Sequence, residues 1–114
     1  MSITKATRDL VYQRDGQSCV RCGVYANGGS IHHRKARGMG GTRNPLIDMP
    51  AALLLLCGSG TTGCHGWVES HRTKSLGQGF LLRDVALAEV IPVVTVFGPR
   101  YFTNSGDVLL RWAS

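Results

Sequence analysis

Acid is missing from a long stretch of this chain. Between Gly16 and Ile47 there is no Asp or Glu, while Arg21, Arg34, Lys35, Arg37 and Arg43 all fall there. Over the 114 residues, seven acids stand against thirteen Lys and Arg, a net charge of +6. Such an excess favours polyanions, nucleic acid first and acidic membranes second. Long apolar runs are missing too. The longest, Ala51 to Cys57, is far too short to cross a bilayer, and the N-terminal MSITKATRDL lacks the apolar segment of a secretory signal. Charged residues reach only 18% against 43% hydrophobic, which argues against disorder and for a modest core. The expectation is one soluble domain over residues 1–114, cytoplasmic, with reduced thiols and no membrane partner.

What is present is organised around four cysteines and four histidines. The spacing predicts a helix over Ile3 to Arg14, with Ile3, Ala6, Leu10 and Val11 on one stripe and Gly16 as its cap. The dipeptide Asn27-Gly28 predicts a hairpin whose outgoing strand is Ser30 to Arg34. Lys35 to Pro50 reads as a glycine- and proline-rich loop, Leu53 to Leu56 as a short buried stretch, and His65 to Lys74 as a helix. From residue 80 onward the chain reads as short strands: Phe80 to Arg83, Ile91 to Phe97, and a hairpin of Arg100 to Thr103 with Asp107 to Trp112.

The cysteines stand as Cys19-x2-Cys22 and, after 34 residues, Cys57-x6-Cys64. Two tight turns facing each other place four thiolates in a tetrahedron, the arrangement of a structural zinc site with no open position. Such an ion contributes folding energy, which suits a thin core. The long second loop can close because Gly58, Gly60 and Gly63 lie in it.

His65 directly follows Cys64, so the zinc that fixes one fixes the backbone of the other. His32 and His33 sit just beyond the first knuckle. One imidazole from each element would make a divalent-metal site, and the other member of the pair would be placed to take a proton from water. Adjacent residues on a strand face opposite ways, so the pair serves one site only where the strand bends or ends.

The order Cys-x-x-Cys, His-His, Gly-Gly, apolar run ending in Cys, then Cys-His resembles the HNH (His-Asn-His) endonucleases. The stretches IHHRKARGMGG and LLLLCGSGTTGCHGWVESH are especially similar to small bacteriophage members. The resemblance spans about Thr7 to Leu76. It implies an α+β fold: a ββα-metal HNH core stapled by a four-cysteine zinc, an N-terminal helix, and a C-terminal extension of short β-strands over 80–114. It implies a metal-dependent DNA endonuclease, with His33 as general base and His32 and His65 as ligands of a divalent catalytic metal (Mg2+, Mn2+, Ni2+ or Zn2+). It also implies phage DNA processing or packaging beside a terminase, in a host cytoplasm. Arg34, Lys35, Arg37 and Arg43 are the expected phosphate contacts.

The family's middle Asn, five residues before the third cysteine, is here Ala52; Asn44 is the one nearby substitute. Helical geometry puts Glu69 on the face of His65, either as a further ligand or as a surface partner of Arg72 or Thr73. Trp67 and Val68 read as helix packing, and His71 as a helix-end or surface residue. The competing class is a non-catalytic zinc-ribbon module that binds nucleic acid with the same cysteines and basic run.

Overall fold

The computed structural model describes residues 3–26, 28–36 and 44–111. The first helix, α1, runs Lys5–Arg14. Thr4 caps it by accepting from the Thr7 amide, and Val11 is its fully buried residue. Leu10 and Ile3 pack at the edge of the core, while Ala6 faces solvent.

Two strands follow, far apart in sequence. Strand β1, Ser30–His33, pairs antiparallel with β2, Leu53–Leu56, in the register His32↔Leu54 and His33↔Leu53. The local hairpin expected around Asn27-Gly28 is therefore not the pairing that forms. Asn27 lies outside the described residues, and the knuckle before it makes only an isolated bridge, Ser18↔Tyr25. Strand β1 ends at His33, as sharing of one site by the two histidines requires. Between the strands lie two 3-10 turns, Pro45–Asp48 and Pro50–Ala52.

All four leucines of β2 are fully buried. A strand buried on both faces needs cover on both, and α1 and α2 (Gly63–Ser70) supply it. The edge of β2 away from β1 is closed by polar partners. The Leu55 amide donates to Asp15 Oδ2 at 3.0 Å, and the Val20 amide donates to the Leu55 carbonyl at 3.0 Å. Arg14, ion-paired to Asp15 at 2.8 Å, donates to the Leu53 and Pro50 carbonyls and lies over the Phe102 ring. This clamp fixes α1 and the first knuckle to β2.

The single helix expected over His65 to Lys74 is two helices. After α2, His71 leaves the helical region (φ −121°, ψ 62°) and α3 starts, Arg72–Gly77. Beyond it Phe80 to Arg83 forms no strand. A three-stranded antiparallel sheet, β3 (Val93–Thr95), β4 (Gly98–Phe102) and β5 (Val108–Leu109), completes the chain in the order β3-β4-β5. Among the described residues the protein is thus mixed α and β, with three α-helices and two small antiparallel sheets. No helix of the described residues is long and apolar enough to cross a membrane.

Candidate functional site

Two groups of ligand-bearing side chains form around α2. The first is Cys19, Cys22, Cys57 and Cys64, whose sulfurs all lie within 4.8 Å of one another. Cys22 and Cys57 Sγ are 3.8 Å apart, and sulfurs at about 2.3 Å from a tetrahedral ion are separated by about 3.8 Å. The cluster is compatible with a structural ion such as zinc. Burial pushes the Cys64 thiol up to about 12, with an Arg21 hydrogen bond working against the rise. A bound cation reverses that penalty by stabilising the thiolate.

The loop between the second pair closes by locked geometry. Gly58 has φ +84°, and a Cβ there would stand 2.2 Å from the Thr62 carbonyl oxygen. Only glycine lets the chain turn back so tightly. Arg21, inside the first knuckle, ties the cluster to α2. Its Nη1 reaches Cys64 Sγ at 3.4 Å, and its guanidinium lies 3.8 Å from the Trp67 ring centre. His71 also stacks on that indole, ring centres 4.5 Å apart. Trp67 therefore packs, as expected, though against the knuckle and His71. His71 is the helix-end residue, its Nδ1 2.9 Å from the Trp67 carbonyl oxygen.

The second group is His32, His65 and Glu69, each offering one ligand atom within 4.8 Å of the others. His32 comes from β1, and the other two from consecutive turns of α2. The rings of His32 and His65 stand edge to face, centres 5.1 Å apart. His32 is fully buried, and its Nε2 lies 2.7 Å from the Phe80 carbonyl oxygen. A carbonyl can only accept, so Nε2 carries the proton and Nδ1 presents a lone pair. That Nδ1 is buried without a hydrogen-bond partner, as is His65 Nδ1. Burial lowers the His32 pKa to about 4, against the opposing Phe80 carbonyl, and burial likewise lowers that of His65, against the opposing charge of Glu69. Both rings are neutral near pH 7, the form that binds metals. Glu69 faces both ways, toward the two histidines and toward Arg72. Its Oε2 lies 3.4 Å from His32 Nδ1 and 3.7 Å from His65 Nε2, while its Oε1 accepts from Arg72 at 3.2 Å.

His33, at the end of β1, lies outside this group of three but acts electrostatically on both His32 and His65. Its Nε2 is 2.8 Å from Asp48 Oδ1. Asp48 is a contact that the sequence reading missed; its only signal there is that it is the first acid after the acid-free stretch. Ala52 is buried in the 3-10 turn Pro50–Ala52 and brings no polar side chain. Asn44 caps the turn Pro45–Asp48 by accepting from the Leu46 amide.

Arg34 requires correction. It was expected on phosphate, yet it is fully buried and its guanidinium is spent on main-chain carbonyls. Nε donates to Gly79 at 2.8 Å, Nη1 to Ala51 at 2.8 Å and Ala88 at 2.9 Å, and Nη2 to Ile91 at 3.0 Å. Four of its five N–H donors are taken by these carbonyls, and full burial keeps the group away from any external anion. Lys35, the next residue, is half-buried. Arg37 and Arg43 lie outside the described residues.

No family profile, curated protein or solved structure matches this chain.

Proposed function

We propose that the protein is a metal-dependent DNA endonuclease of the HNH type, with β1, β2 and α2 as its ββα core. One observation carries this reading. The His32 Nδ1 lone pair, itself fully buried, and the half-buried Glu69 carboxylate face each other at 3.4 Å, beside a third acceptor-bearing ring. Acceptors so arranged repel unless a positive species lies between them. Burial keeps His32 unprotonated near neutral pH, so a divalent cation is the partner that fits.

His32, His65 and Glu69 would hold that ion, and an ion bound there would supply positive charge to a phosphoryl oxygen and to the leaving 3′ oxygen. Two imidazoles and one carboxylate suit Mn2+, Ni2+ or Zn2+ better than Mg2+, which prefers an all-oxygen shell. His33 takes a proton from the attacking water as the new oxygen–phosphorus bond forms. The bond to the 3′ oxygen breaks, and that oxygen leaves with a proton from solvent. Lys35, with Arg37 and Arg43, would hold flanking phosphates and give affinity with little sequence preference. A role in phage DNA processing beside a terminase follows from the resemblance alone.

The test is nicking of supercoiled plasmid by the zinc-loaded protein with added Mn2+ or Ni2+. His33→Ala should lose about 100- to 10,000-fold in rate with its zinc content unchanged. A variant that cuts as fast as the parent would remove His33 from the mechanism. A parent that binds DNA and never cuts it would favour the zinc-ribbon binding module, which needs no convergence of imidazoles.

A further inference from the structure

We infer that Asp48 is the positioning residue for His33, doing the orienting work for which Ala52 has no side chain; this rests on the nuclease reading above. Both partners are held from behind. Asp48 ends the turn Pro45–Asp48, which Asn44 caps and buried Ile47 anchors against Ala51, Ala52 and Leu82. The end of β1 is pinned to the neighbouring turn, because the Arg34 amide donates to the Ala52 carbonyl and the Arg34 side chain donates to the Ala51 carbonyl, each at 2.8 Å. The His33 ring and the Asp48 carboxylate therefore meet through backbones that are themselves fixed. Their side chains are 28% and 27% exposed, so the contact is shielded more than a surface ion pair, which usually contributes little.

The contact also selects an atom. An ionised carboxylate only accepts, so His33 Nε2 bears a proton, and in the neutral ring that acts as a base Nδ1 is the bare nitrogen. His32 is set in the same tautomer by the Phe80 carbonyl. The two adjacent rings are thus both held at Nε2, one by a main-chain oxygen and one by a carboxylate. The structure assigns Nδ1 of His33 as the basic atom that meets water, and Asp48 as the group that holds it there.

Two measurements test this, on the zinc-loaded protein. The first is the ring nitrogen spectrum of His33 at mildly alkaline pH, read by long-range proton–nitrogen correlation. The parent should show the tautomer protonated at Nε2, and Asp48→Ala should show a mixture of both. The second is the cleavage rate. Asp48→Ala should lower kcat by about 10- to 100-fold, the usual effect of losing a group that orients a reacting histidine, with KM for DNA nearly unchanged. Asp48→Glu, which keeps a carboxylate on a longer stem, should recover part of that loss. A parent ring protonated at Nδ1 would overturn the proposal without any variant having to fold. So would an Asp48→Ala protein that keeps both the parent tautomer and the parent kcat. If the parent shows the expected tautomer but never cuts DNA, the nuclease reading fails while the assignment of the Asp48 contact stands.

Discussion

The two ligand clusters share one helix and differ in almost everything else. The sulfur cluster draws its members from the first knuckle, the end of β2 and the start of α2, and every one of its ligands belongs to a cysteine. The imidazole cluster draws on a strand and a helix, mixes two ligand types, and adds only three side chains. A four-ligand tetrahedral site is closed and acts as a staple, whereas three protein ligands leave a position open for chemistry. They are joined at a single peptide bond, because Cys64 closes the first cluster and His65 opens the second. The first can therefore exist without the second, but the second depends on the helix that the first holds down. The proposed chemistry would thus be mounted on a scaffold whose folding depends on an ion in the sulfur cluster.

That dependence is the easiest part to break. Cys64→Ser, or stripping the ion with a strong chelator, should abolish cooperative folding. Structural zinc contributes about 10–16 kcal/mol in small zinc domains, more than most of the ~5–15 kcal/mol that keeps a domain folded. A near-ultraviolet dichroism melt that still matches the parent would show that the sulfurs are not what secures α2.

A smaller loss is expected at Arg34, which lies outside both clusters. Arg34→Met should cost roughly 3–5 kcal/mol, because four buried carbonyls lose their donors together. Urea unfolding with zinc retained measures this, and a midpoint close to the parent's would return Arg34 to the surface. The smallest effect should isolate the second cluster. Glu69→Ala should weaken Mn2+ binding by about 10- to 100-fold in a titration calorimeter, with zinc content and melting temperature almost unchanged. Loss of its exposed pair with Arg72 accounts for only a few tenths of a kcal/mol. If Mn2+ binds the variant as tightly as the parent, the imidazole cluster is not the site.

Local signals carried much of this architecture. Helix α1 with its buried Val11, the cysteine spacing, the buried Leu53–Leu56 run and the placement of Glu69 one turn beyond His65 all come from short-range pattern, although Ala6 of the expected stripe faces solvent. The features that escaped it are non-local. Asn27-Gly28 is a strong turn signal, yet β1 finds its ladder partner on β2, beyond the acid-free loop, because four consecutive leucines offer a more buried neighbour than the knuckle does. The helix break at His71 has no proline or glycine to announce it. Asp48 reaches His33 across fifteen residues through a 3-10 turn that propensity alone does not place. Arg34 sits in a cationic run and reads as solvent-facing. Its burial follows from carbonyls at Ala51, Gly79, Ala88 and Ile91, four points that only the folded chain gathers.

Arg34 sets a trap for the experimenter. A charge-reversal scan of the basic stretch, scored by gel shift, would rank it as the strongest hit, since a glutamate there would wreck the interior and every downstream readout would vanish with it. Lysine would rescue poorly, because one ammonium cannot span the acceptors that a flat, five-donor fork reaches. The position would then be recorded as a recognition hot spot when it is a keystone. Any test of the proposed nucleic-acid binding should report folded fraction beside affinity, and should begin at Lys35 rather than at its neighbour.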